Sequence, residues 1–387
     1  MLNNKYSPWP SFDEKEIAIV SEVLRSNKVN YWTGTKGKEF EASFAKWCEA
    51  DYGVAITNGT IALEVALRAV GVEPGDEVIV PPRTFMATAS SVMILGAIPK
   101  FADIDPISQN ICPRSISKNI TQKTKAIICV HLAGWPCEMD EIKKICEANE
   151  IKIIEDCAQA HGAKYKGRSV GSLGDIAAWS FCQDKIMSTG GEGGMITTNS
   201  EDLYKSVWEF KDHGKSYDAV FHQEHPPGFR WLHDSIGSNY RMTEMQAAIG
   251  LYQLTKVQEW VERRRVIAKK YSQVINQYEF VRDHSPGNDI YHSYYRYYAF
   301  WSHETVTRDD FINLCSQHEI PVFQGSCSEV YLEKAFLNTE AKPQKALKEA
   351  QNLGKSSLMF LTHPTLSDNE IDEICINLHQ ILQQISS

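Results

Sequence analysis

KAIICVHLAGWPCEMDEIKKICEANEIKIIED, residues 125–156, passes from an apolar β-type run through a helical pattern into a second apolar run. The alternation begins at Val54: VAIT, a helical stretch over residues 60–70, DEVIVPP, a helical stretch over residues 87–95, then IPKFADI. Apolar strands alternating with helices predict an α/β chain whose mostly parallel sheet is covered by helices on both faces. Ligands of such sheets lie beyond the carboxyl ends of the strands, which directs attention to residues 58–61, 82–85 and 156–159 and to the surroundings of Lys185. Past Met242 a long helical pattern, TEMQAAIGLYQLTKVQEWVERRRVIAKKYSQVI, leads out of a large domain (residues 1–255) into a smaller α+β domain (residues 256–387). Near the start, Ser11 and Glu14 have capping-box spacing ahead of an apolar stripe, predicting a first helix to about Arg25.

Composition narrows the function classes. The 387 residues carry 40 Lys and Arg against 49 Asp and Glu, a formal charge of −9, which argues against nucleic acid as a partner. Arg263, Arg264 and Arg265 read as a solvated helix face. The first residues are polar and proline-punctuated, and no segment approaches the ~18 apolar residues of a membrane span, so a soluble, cytoplasmic protein without a membrane partner is expected. Ten cysteines without a C-x-x-C predict buried reduced thiols. Twelve histidines without H-E-x-x-H give no metal site.

Chemistry gathers around WSFCQDKIMSTGGEGGMITT, residues 179–198. Its glycines follow Lys185, the wrong order for a P-loop. IKIIEDCAQAHG ends a strand in Glu155 and Asp156; successive strand residues point to opposite faces, so one carboxylate faces a site. ITNGTIAL sets Gly59 and Thr60 at a strand–helix junction, where free amides, the helix dipole and a hydroxyl would hold a phosphate. Phe85, in PRTFMATA, lies at the next strand end, where its ring could stack on a flat group. Together these match the needs of pyridoxal phosphate: a lysine for covalent attachment, a carboxylate to keep the pyridine nitrogen protonated, and a phosphate seat.

WTGTKGKEFE, ITNGTIALEVAL, VEPGDEVIVPPRTFMATAS, GAIPKFADID, TKAIICVHLAGWP, IIEDCAQAHGAKYKG, SFCQDK, GGEGGMITTN and GSNYRMTEMQAAIG follow in order over roughly residues 8–260. In this set the chain resembles the DegT-type (DegT/DnrJ/EryC/StrS) sugar aminotransferase family, of the type I, aspartate-aminotransferase fold. The resemblance implies that Lys185 bonds covalently to the cofactor, Asp156 partners its pyridine nitrogen, Gln159 approaches its 3-hydroxyl and Phe85 covers one ring face. Gly59, Thr60, the backbone at Ile61 and Ser180 would hold the phosphate. Asn239 would reach it from the second subunit of a homodimer with shared sites.

Tyr31 and Trp32 are expected to border the sugar site, and Arg230 to face the substrate diphosphate; His131 and His213 are candidate acids. The implied reaction is ping-pong, from glutamate to a keto group of a nucleotide-linked sugar for surface polysaccharide such as O-antigen or capsule. STGGEGGM, residues 188–195, resembles relatives that act at C4 of a 4-keto-6-deoxyhexose, with C3 of a 3-keto sugar as the alternative. Lys185 argues against the dehydratase branch, which carries histidine there, and the intact Lys185/Asp156/Gln159 set against a non-catalytic regulatory relative. The loop after Lys185 is one residue longer than is usual in the family. HQEHPPGFRWLHDSIGSNYRM and FQGSCSEVYLEKAF depart from it and are candidates to line the sugar pocket.

Overall fold

The computed structural model describes residues 5–386 except 226 and 229. Its first part contains β1 (Tyr52–Ile56), β2 (Glu77–Val80), β3 (Ile98–Phe101), β4 (Thr124–Val130), β5 (Lys152–Asp156), the short β6 (Lys164–Tyr165) and β7 (Arg168–Ser169), β8 (Ile176–Ser180) and β9 (Gly194–Thr198). Interleaved are α1 (Glu14–Ser26), α2 (Lys36–Trp47), α3 (Gly59–Ala69), α4 (Met86–Ile94), α5 (Pro113–Asn119), α6 (Met139–Glu147), α7 (Glu201–Lys211), α8 (Tyr217–Phe221) and α9 (Glu244–Leu254). Seven strands form one sheet in the order β1-β9-β8-β5-β4-β2-β3, with β9 alone antiparallel to its neighbours. Phe40 and Phe44 of α2, Ile142 of α6 and Ala247 of α9 pack on one face with Trp179 of β8. Leu63 and Leu67 of α3, Val92 of α4 and Trp208 of α7 cover the other. Burial on both sides is why these strands read as unbroken apolar runs, and the expected α/β architecture holds.

The chain continues through α10 (Val257–Ile275), β10 (Val281–Asp283), β11 (Ile290–Tyr291), β12 (Tyr297–Trp301), α11 (Arg308–Gln317), β13 (Val322–Phe323), α12 (Lys348–Ser356), β14 (Ser357–Phe360) and α13 (Asp368–Ser386). A four-stranded antiparallel sheet, β10-β12-β14-β13, packs with α10, α11 and α13 around Tyr271, Phe311, Leu358, Phe360 and Leu378. All ten cysteines are free and six are buried. No described helix is long and apolar enough to cross a membrane.

Three local expectations are corrected. The first helix is capped by Asp13, not Ser11: Asp13 accepts from the Glu16 amide, and Glu16 accepts from the Asp13 amide. The long helical pattern breaks between α9 and α10. There Thr255 Oγ1 bonds back to the Tyr252 carbonyl (2.7 Å), and the Lys256 amide takes a three-residue bond to Gln253 that tightens the turn. The arginine triplet is not a solvated face. Val261, Arg264, Ala268 and Tyr271 fall on one helical stripe, which carries Arg264 into the core with its guanidinium 5.3 Å from the Trp9 ring and bonded to the Tyr295 carbonyl.

Candidate active site

A cavity of about 580 Å³ opens at the carboxyl edge of the seven-stranded sheet. The parallel strands bring the loops after β1, β2, β5 and β8 to that edge, and antiparallel β9 begins there. Sequence-distant residues therefore meet on one wall.

After β1, Asn58 caps α3 by accepting the Ile61 amide at 2.9 Å. That amide, expected to hold phosphate, is already engaged; those of Gly59 and Thr60 remain without an intrahelical partner. Gly59 is required by close approach: a Cβ there would lie 2.6 Å from the Ser180 Cβ. Thr60 and Ser180 consequently sit on the same cavity wall. Phe85, at the N-terminus of α4, also lines the cavity with 70% of its surface exposed, which leaves its ring open to stacking by a flat group.

Asp156 ends β5 facing the cavity, with Oδ2 accepting from the Thr88 hydroxyl (3.0 Å) and Oδ1 from the Ala158 amide (3.2 Å). Burial pushes its pKa up, opposed by those two donors and by the charge of Lys185. Glu155 points the other way, as strand alternation requires, and accepts from the Gly171, Leu173 and Gly174 amides at 2.9, 2.8 and 2.6 Å. His131 completes that buried group. The Cys137 amide donates to its Nδ1 (3.0 Å), so Nε2 carries the proton given to Glu155, and His131 is a buried prop rather than an acid in the cavity. Gln159 accepts the Ala133 amide at 2.8 Å, which leaves its NH₂ as the available donor.

Lys185 follows β8 with its side chain 17% exposed and its backbone carbonyl held by the Trp9 indole N–H at 2.8 Å. Its Nζ lies 3.5 Å from Asp184 and 5.2 Å from the Tyr295 ring centre. Burial pulls its pKa down; Tyr295 and Asp184 push it up, and the net direction is up. Sequence reading missed Thr88, Asp184, Trp9 and Tyr295. Asp184 adjoins the lysine in the chain, whereas nothing local marks Trp9 or Tyr295, which arrive from the N-terminus and from the segment before β12.

The expected substrate residues do not join this wall. Tyr31 is buried and donates its hydroxyl to Glu41 (3.0 Å), which also takes Lys211 (3.1 Å). Trp32 donates to Asp212 (2.9 Å); buried Asp212 also binds Arg241 (2.8 Å) and forms a backbone β-bridge with exposed Asn239, tying these residues into a separate network. His213, with φ of 64°, and Arg230 are exposed. Among the described residues Tyr31, Trp32, His213, Arg230 and Asn239 do not line the cavity of their own chain. The two departing segments do not line it either: Cys327 and Val330 instead bond the backbone of Thr84 and Pro82, and Pro226 and Phe229 lie outside the described residues.

The family model described as the DegT/DnrJ/EryC1/StrS aminotransferase family matches residues 10–379. GDP-perosamine synthase of Escherichia coli O157:H7 is 36% identical over 388 residues, covering 97% of this chain and 98% of the relative. The X-ray structure of an aminotransferase from Psychrobacter cryohalolentis superposes with a TM-score of 0.97 at 49% identity, covering 99% of this chain and 100% of that one. The PLP form of the putative sugar aminotransferase Spr1654 from Streptococcus pneumoniae gives 0.87 at 26% identity, covering 99% and 100%. With the family pattern matched over nearly its whole length, the chain belongs to the DegT/DnrJ/EryC1/StrS aminotransferase family.

Proposed function

We propose that the protein transfers the amino group of glutamate to C4 of a nucleotide-linked 4-keto-6-deoxyhexose, in making a sugar of a surface polysaccharide. Its cofactor is pyridoxal 5′-phosphate. The observation that carries the chemistry is the convergence of Lys185, Asp156, Gln159, Thr60, Ser180 and Phe85 on one cavity. These residues fit the cofactor: a buried carboxylate pushed toward protonation calls for a cationic neighbour, and the exposed Phe85 ring calls for a flat one.

When bound, the cofactor supplies an aldehyde that carries the amino group and a ring that takes up the electron pair of the broken C–H bond. Thr60, Ser180 and the amides of Gly59 and Thr60 hold its phosphate at the positive end of α3. Asp156 would keep the ring nitrogen protonated, Gln159 would donate to the ring's hydroxyl oxygen, and Phe85 would cover one face against water. Lys185 would be the residue that holds the cofactor covalently. Its free Nζ would be the group that holds and moves the proton during amino transfer.

Amination at C4 is supported by STGGEGGM and by the likeness to GDP-perosamine synthase, an enzyme named for a 4-amino sugar. The turn following Lys185 uses Gly190 and Gly191 at φ of 86° and 120°, and it brings Glu192 to the cavity wall. Its shape thus bears on how the sugar approaches. Incubation with glutamate and a 4-keto-6-deoxy sugar nucleotide should give a product whose NMR spectrum places nitrogen on C4. Nitrogen on C3, or no reaction with any such nucleotide, would overturn the assignment.

The working unit is read as a homodimer in which Asn239 completes the partner's phosphate seat. Trp231 and Ile236, 93% and 92% exposed, flank Asn239's segment as an apolar surface for a second copy. Lys185→Ala and Asn239→Ala chains, each impaired alone, should on mixing recover about a quarter of wild-type activity, because half of random dimers hold one intact site of two. No recovery from subunits shown to exchange would argue against shared sites. A cytoplasmic location suits the ten unpaired thiols.

A further inference from the structure

Asp184 immediately precedes the cofactor lysine, lines the same cavity, and has no part in the mechanism above. Its two oxygens are differently occupied. Oδ2 accepts the Tyr295 hydroxyl and lies 3.8 Å from the Arg296 guanidinium, both from the segment before β12, while Oδ1 is turned to Lys185 Nζ at 3.5 Å. The tyrosine is itself fixed: it is buried, its carbonyl accepts from Arg264 and Arg296, and the Arg296 guanidinium lies 4.2 Å from its ring centre. The carboxylate is therefore clamped from the second sheet region with one oxygen presented to the lysine.

We propose that Asp184 is the counter-ion that holds Lys185 in the cavity as an ammonium whenever the lysine is not bonded to the cofactor, and so sets the pH at which its amine becomes free. This rests on the reading of Lys185 as the cofactor lysine.

No other carboxylate among the described residues makes an ion-pair contact with Lys185. Asp156 also feels the charge of Lys185, but its oxygens are directed to Thr88 and Ala158, and among the described residues it makes no ion-pair contact with Nζ. Glu192 directs Oε1 at the Cys182 thiol (3.8 Å), and burial raises that thiol's pKa, keeping it neutral. His161, buried between Trp179 and Phe181, is pushed down to about 3 by burial and by the charges of Lys185 and Arg264, and so is neutral too. Arg264 and Arg296 are cations and oppose an ammonium. Burial works against both members of the Asp184/Lys185 pair, yet Asp184 is displaced downward, first by the charge of Lys185, and Lys185 upward, first by Tyr295 and then by Asp184, directions consistent with the 3.5 Å contact.

The sign follows. Removing the carboxylate frees the amine at lower pH, by about one unit or more for a contact this close. Competitive acetylation of the cofactor-free protein with acetic anhydride across a pH series, followed by mass spectrometry of the Lys185 peptide, gives the midpoint directly. Asp184→Asn and Asp184→Ser should move it down by about a unit or more, and Asp184→Glu by less than half of that. An unchanged midpoint in either neutral variant, with melting confirming that it is folded, would overturn the proposal; two such variants keep the test available if one fails to fold. Failure of the underlying reading has a different signature: bound pyridoxal phosphate would then leave Lys185 open to acetylation in the wild-type protein.

Discussion

Replacing Lys185 by alanine is expected to remove turnover to the detection limit, a loss of at least about 10⁴-fold, or ~5.5 kcal/mol of barrier. In the proposed reaction the side chain has two duties, covalent attachment and proton transfer, and no other lysine lines the cavity among the described residues. Lys185→Arg should fail equally, because a guanidinium that stays protonated can neither attack an aldehyde nor accept a proton. Cofactor binding should persist at reduced affinity, since Thr60, Ser180 and the start of α3 lie on other elements. Steady-state assays of both variants, with equilibrium dialysis of the cofactor, separate the two effects. Turnover within tenfold of wild type in either variant would remove Lys185 from the reaction.

Asp156→Asn should cost at least about a hundredfold in kcat, ~2.7 kcal/mol, the scale of a lost electrostatic contact in a buried site. A neutral amide cannot keep the ring nitrogen protonated. The stability effect runs the opposite way in the cofactor-free protein. The folded pKa of Asp156 lies above its ordinary value of 3.8, so ionisation penalises the fold; the penalty is absent below that value, grows as pH rises past it, and is complete above the folded pKa. Asparagine carries no such penalty. Cofactor-free Asp156→Asn should therefore melt no lower than wild type at pH 8, and should lose that advantage as the pH falls toward 4. A loss of activity below tenfold, or a variant that melts lower at pH 8, would contradict the role given to this carboxylate.

Local order in the chain determined the sheet, the helices on both of its faces and which residues gather at its edge. Apolar runs such as KAIICV and KIIED encode doubly buried strands, and parallel strands deliver the loops carrying Thr60, Phe85, Asp156 and Lys185 to one edge whatever the remainder does. The choice between Glu155 and Asp156 was likewise half-legible: alternation requires that one face away, but only the fold supplied the three amides that claim Glu155. Where a side chain's position depends on what packs against it, sequence spacing is not enough. Tyr31 is expected to border the sugar site, yet its hydroxyl donates inward to buried Glu41, which also pairs with Lys211. Ile61 begins a helix, but Asn58 already holds its amide. Arg264 sits in a run of three arginines, and the helical stripe carries it into the core. The contacts that hold Lys185 itself, from Trp9 and Tyr295, span 176 and 110 positions along the chain; no local pattern encodes them, because the packing of the second sheet region and of the N-terminal segment against the first creates them.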